Sequence, residues 1–215
     1  MIKVELWFDF VCPHSYIAKR RFENAMNTVN EHDQFLLEWK SFQLNPHVVT
    51  DMNKPYDDMI REKKKYTIDQ VRHLNWIIEG QAQQTGIEFQ LQNLKTTNSL
   101  NAHRLFQFAK EKKQLNNLID DIFSAHFVEL RNIDDHEVLV ELGSKNGLKP
   151  KETRAMLKSE RYKNAVVQEQ QIANNIGIVA SPFFLIDRLF GISGLYTDEA
   201  LIKKLRHALI GKEYE

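Results

Sequence analysis

Cys12-Pro13-His14-Ser15 is the place in this chain where residue types and spacing most directly imply chemistry. A cysteine that follows a strand and caps a helix N-terminus faces unpaired backbone N–H groups and the positive end of the helix dipole. Both favour thiolate over thiol. Such settings bring a cysteine pKa from about 8.5 down to roughly 3.5–7.5. His14 adds positive charge when protonated, and the Ser15 hydroxyl is placed to donate a hydrogen bond to the sulfur. Spacing alone leaves a second reading open: a buried, inert cysteine, the usual state of a free thiol in a folded protein.

Five further residues are candidates for a role in chemistry or structure. Asp9, three positions before Cys12, is a semi-buried proton acceptor or an ordinary strand-end aspartate. His103 reads on local sequence as a structural histidine that bonds a neighbouring helix. His126 falls on an apolar helical seam between Phe123 and Phe127 and reads as a core histidine. Ser181-Pro182 stands before an apolar strand, where proline removes a ladder donor at the strand entrance. On local sequence an ordinary trans bond is expected there, since cis forms are about 5–6% of X–Pro bonds. The eight histidines show no pair at metal-ligand spacing, so no metal is expected.

These residues need elements to hold them. Ile2, Val4, Leu6, Phe8 and Phe10 recur at period two, a strand pattern that Cys12-Pro13 ends. Proline at a first helical position is a start signal. Ala18, Phe22, Ala25, Met26 and Val29 then follow at helical spacing. Phe35, Leu37 and Trp39 begin a second strand that is expected to reach about Leu44, before Asn45-Pro46. The unit is βαβ, with parallel strands and a right-handed crossover. From about residue 55 to 176 the periodicity is helical almost throughout, most clearly in Leu115, Leu118, Ile119, Ile122, Phe123, Phe127 and Leu130. Lys63, Lys64 and Lys65 read as a solvated helix face. Strand patterns return at Phe183–Ile186 and Leu189–Ser193 around an Asp187-Arg188 hairpin turn, and a last helix carries Leu201, Leu205, Ala208 and Leu209.

Composition bounds the class. The 215 residues carry 29 Lys+Arg and 29 Asp+Glu, so no basic footprint points to nucleic acid or to an anionic membrane. No apolar run approaches the ~20 residues that span a bilayer. The alternating N-terminus reads as a strand and not as a secretory signal. A single cysteine excludes an internal disulfide and the thiolate-rich structural zinc sites. The reducing cytoplasm is the expected compartment. Eight glycines and five prolines are few for this length, which implies long elements and few connections.

The segments FDFVCPHSYIAKRRFE (8–23), SFQLNP (41–46), NSLNAHRLFQFA (98–109) and GIVASPFFLIDRLFGISG (177–194) resemble the DsbA-like thiol–disulfide oxidoreductases. Within them the FrnE-type branch, sometimes labelled dithiol-disulfide isomerases, is the nearer match. The resemblance implies an α/β architecture: a thioredoxin-like domain from 1–50 and 177–215, with an inserted all-helical domain at 51–176. It implies that Cys12 is the attacking nucleophile, with Ser15 and His14 activating it. It also implies that Ser181–Pro182 is cis, beside Pro13 and the sulfur, with Ser181 contacting substrate through its backbone and His103 of the 98–109 segment facing the cleft to meet substrate. The family motif is C-P-W-C, whereas this chain has Ser15 in place of the resolving cysteine. Exchange passes through a mixed disulfide. Without a second thiol that intermediate needs an external one, so isomerisation or deglutathionylation by a monothiol route is expected. No tightly bound cofactor is expected; glutathione or another low-molecular-weight thiol is the candidate exchange partner. Protein or small-molecule thiols and disulfides are the expected substrates, and the sequence leaves monomer and homodimer open. The run Pro13-His14-Ser15-Tyr16 is also similar to kappa-class glutathione transferases and 2-hydroxychromene-2-carboxylate isomerases, which have serine at the position of Cys12. A third reading is a non-catalytic binding or adaptor module on the same scaffold.

Overall fold

A computed structural model describes residues 1–28, 35–115 and 117–212, with side chains as far as Ala208. Val29 and the side chain of Leu209, both expected on helix faces, lie outside the described residues.

The first strand, β1 (Ile2–Phe8), is central. Helix α1 (Pro13–Thr28) leads from it to β2 (Phe35–Ser41), which pairs with β1 in parallel. After the long insertion, β5 (Phe183–Ile186) pairs antiparallel with β1, β6 (Phe190–Ser193) pairs with β5, and α9 (Asp198–Lys212) follows. The sheet order is β2-β1-β5-β6, the β-α-β…β-β-α arrangement of a thioredoxin-like domain. The Asp187-Arg188 turn has φ of +48° and +59°. Leu189 completes a three-residue connection: its amide donates to the Ile186 carbonyl (2.9 Å), and Ile186 pairs with Phe190.

Every residue of β1 except Lys3 is buried, because the sheet is covered on both faces. Ile2, Val4, Leu6 and Phe8 join the main core with α1, α9 and the insertion. Trp7 faces the other way, onto Phe42, Ala173 and Ile178.

The insertion holds α2 (Tyr56–Lys64), α3 (Ile68–Gln83), α4 (Leu100–Glu111), α5 (Leu118–Phe127), α6 (His136–Lys145), α7 (Pro150–Leu157) and α8 (Lys163–Asn175). Asp135 caps α6 by accepting from the amides of Glu137 and Val138. The insertion is not wholly helical. Strands β3 (Asp51–Pro55) and β4 (Lys95–Thr96) form a short, irregular ladder. Neither segment alternates apolar and polar residues, so neither carried a period-two signal. Two predicted bounds also move. Leu115 and Leu130 lie outside α5, Leu130 in a left-handed conformation. Strand β2 stops at Ser41; beyond it the Gln43 amide donates to the Gln170 side chain (2.7 Å) and the Leu44 amide to the Asp9 carboxylate (2.7 Å).

Two of the resembling segments interlock across the fold. Gln107 donates to the Ser41 hydroxyl (2.9 Å), and Gln43 donates to Ser99 (3.2 Å). Arg104 donates to the carbonyls of Met156, Leu157, Ser159 and Arg161 at the end of α7. Ser41, Gln43, Ser99 and Gln107 thus tie the insertion to the end of β2, while Arg104 holds α4 to the end of α7 within it.

Candidate active site

Strand β1 ends at Phe8 and releases Asp9, Phe10 and Val11 into a turn that the Cys12 amide closes on the Asp9 carbonyl (3.0 Å). Pro13 then opens α1, and the Ser15 amide bonds back to the Cys12 carbonyl (3.0 Å). Cys12 therefore stands at the helix start, as its spacing implies. It is also buried, with 3% of its surface exposed.

The preceding loop of β5 meets it there. The Ser181–Pro182 peptide bond is cis. The Cys12 thiol donates to the Ser181 carbonyl (3.2 Å). The Ser181 hydroxyl accepts from the Asp9 amide (3.0 Å) and shares a 2.7 Å hydrogen bond with the Ser15 hydroxyl. Cys12, Ser15 and Ser181, separated by up to 169 positions in sequence, thus form one hydrogen-bonded group, with Pro182 next in the chain. Pro13 is buried beneath it and His14 is half-buried at its edge.

Electrostatics opposes one expectation. Burial pushes the Cys12 thiol up to about 11; the Ser15 hydroxyl and amide pull it down, the Asp9 charge adds to the rise, and the His14 amide pulls down weakly. Burial thus works against the expected activated thiolate in the resting structure. A helix end contributes partial charges, and those do not offset taking a full negative charge out of water. His14 does not supply the expected positive charge either, because burial lowers its pKa and favours the neutral ring.

Asp9 is wholly buried. Its carboxylate accepts from the amides of Leu44 (2.7 Å) and Val11 (3.3 Å). One oxygen lies 3.4 Å from Nε2 of His103, which is also wholly buried. His103, expected to meet substrate, has no exposed surface for it and packs against the rings of Phe8 and Phe10. His126 is buried beside Phe127, and burial lowers its pKa to about 4, against the pull of Asp9.

Tyr56, at the start of α2, was not among the candidates. Burial first, then the charges of Cys12, Asp9 and Asp57, hold its phenol un-ionised. It belongs to the surroundings of Cys12 although 44 positions separate them, and no local pattern marks it.

A buried thiol at a helix N-terminus, against a cis-proline loop in a β2-β1-β5-β6 sheet, defines a thioredoxin-fold site. The chain belongs to the family of DSBA-like thioredoxin domains, whose model matches residues 3–205. It is similar to the uncharacterized protein YwbO of Bacillus subtilis (strain 168), 26% identical over 189 residues and covering 86% of each chain. Among solved structures it resembles the probable DsbA oxidoreductase SCO1869 from Streptomyces coelicolor, with a TM-score of 0.90 and 29% identity over 97% of this chain and 90% of that one. It shares the fold of the cytosolic disulfide reductase DsbM from Pseudomonas aeruginosa, solved with GSH, at a TM-score of 0.64 and 18% identity, covering 96% and 98%.

Proposed function

We propose that this protein is a thiol–disulfide oxidoreductase or isomerase that works through Cys12 alone, with glutathione or a similar small thiol as external partner, in the cytoplasm. The observation that carries the reading is that the only cysteine of the chain lies against Ser181 and Pro182, with Ser15 where a second thiol would stand. In this reading the Cys12 thiolate attacks a substrate disulfide, one S–S bond forms as another breaks, and the displaced thiolate leaves. Since Ser15 cannot attack the mixed disulfide, an external thiol or the substrate's own second cysteine does so. The first route is reduction or deglutathionylation and the second is isomerisation. Pro13, Ser181 and Pro182 shape the substrate groove.

The test is to incubate the purified protein with oxidised glutathione and weigh it intact. A single glutathione adduct on Cys12, removed by reduced glutathione, is expected. A protein that stays a clean thiol up to alkaline pH rejects the reading.

The burial that raises the Cys12 thiol favours a second reading, a non-catalytic module that binds extended peptide beside Pro182. Under it, Cys12→Ala leaves the cellular phenotype intact; under the enzyme reading the phenotype is lost.

A further inference from the structure

His103 is a wholly buried imidazole that lacks a hydrogen bond at either ring nitrogen. Buried polar groups are nearly always bonded, so each orphan calls for an explanation. An Asp9 carboxylate oxygen lies 3.4 Å from its Nε2, beyond the usual 2.7–3.2 Å of an N–H···O bond. Catalytic hydrogen bonds are often long at rest and tighten during reaction. Asp9 in turn sits three residues from Cys12, and its backbone amide bonds the same Ser181 whose carbonyl accepts the thiol.

We propose, building on the monothiol reading above, that His103 is a positioning residue of the reaction: it takes the proton of Cys12 through Asp9 when the thiolate forms. At rest the uncompensated Asp9 carboxylate opposes a second negative charge on the sulfur. An imidazolium against Asp9 cancels that opposition. The S–H bond breaks and the proton lodges on Nε2, so the buried group carries thiolate, carboxylate and imidazolium instead of thiol, carboxylate and imidazole. Its net charge does not change, so the new negative charge on the sulfur is buried with a balancing cation and not alone. The thiolate then attacks the substrate disulfide. One S–S bond forms and one breaks, and the displaced thiolate takes up the proton, which restores the neutral imidazole. The other titratable groups facing this pair are Tyr56 of α2 and His126 of α5, with His14 on α1 at the edge. Burial favours the neutral form of each, so none competes for the role.

An internal transfer has a signature that a structural role lacks. The thiolate–imidazolium form has the same proton count as the resting form, so its population does not follow bulk pH. The experiment measures the rate at which oxidised glutathione adds to Cys12, by intact mass in single turnover, from about pH 7 to pH 9. The wild-type rate is expected to be nearly flat. In His103→Phe the proton must leave to solvent, and the rate is expected to fall at least about tenfold at pH 7 and to climb about tenfold per pH unit. His103→Gln keeps a polar side chain of similar length and gives the same result if the phenylalanine variant does not fold. A wild-type rate that climbs tenfold per unit, or variant profiles that overlay the wild type, overturns the inference while leaving the monothiol reading in place. No adduct in the wild type at any pH overturns both.

Discussion

Two carboxylates on the same run of chain, Glu5 and Asp9, are both buried, and their surroundings differ in kind. Glu5, in the middle of β1, is met by fixed cations. Arg188 donates two hydrogen bonds to one of its oxygens (3.1 and 3.0 Å), and Lys3 lies 3.5 Å away. Guanidinium and ammonium hold their protons at any physiological pH, so this group is an anchor that pins the β5–β6 turn to β1. Asp9, just past the strand, is met by two backbone amides and an imidazole. Amide dipoles hold the carboxylate in place without cancelling its charge. One end of β1 is met by fixed cations and the other by amides and a histidine, and the only thiol lies beside the second.

The largest effect that separates the two ends is on reactivity. Cys12→Ala is expected to abolish glutathione addition, a loss beyond about a thousandfold, or about 4 kcal/mol in the barrier. Arg188→Ala, at the other end, is expected to leave the rate within about twofold; stopped-flow or timed mass measurements compare them.

The next effect is a pH dependence on the Asp9 side. His126 has a folded pKa of about 4, below its ordinary 6.5. Its stabilising contribution is therefore full above pH 6.5 and is lost as pH falls towards 4, because the unfolded chain binds the proton first. The amount is about 3 kcal/mol at neutral pH. Denaturant titrations at neutral pH and near pH 4.5 are expected to show most of that loss in the wild type. His126→Gln is expected to flatten the profile.

Breaking the anchor comes third. Arg188→Ala removes the main partner of a buried carboxylate. The cost is expected to be about 2 kcal/mol, less than the ~3–5 kcal/mol of a fully buried pair because Arg188 is 57% exposed and solvent screens it. Thermal unfolding reads it directly. The smallest effect is at the seryl bridge: Ser15→Ala removes the 2.7 Å bond to Ser181 and one donor near the sulfur. It is expected to cost about 1 kcal/mol of stability and to slow glutathione addition a few-fold.

Much of this contrast was legible beforehand. The alternation that ends at Cys12-Pro13 located both the strand and the helix start, since period two and an early proline are local properties. The Asp187-Arg188 turn and the Asp135 cap were readable for the same reason. The ladder of β3 and β4 was not, because two short polar segments about 40 residues apart carry no periodic mark. Tyr56 was not, because its proximity to Cys12 comes from the path of the insertion. His103 was singled out by resemblance, yet its burial against Asp9 depends on how α4 docks beneath the sheet.

The sequence by itself determined that a lone cysteine begins a helix, that its usual partner is a serine, and that strands flank a long helical block. Those are matters of residue identity and of local periodicity. Only the tertiary structure decided that the thiol is buried. Its ionisation depends on how much water reaches the sulfur and on which charges lie nearby, and packing from distant segments sets both. The helix start and Ser15 favour a thiolate, and burial by distant segments works against them.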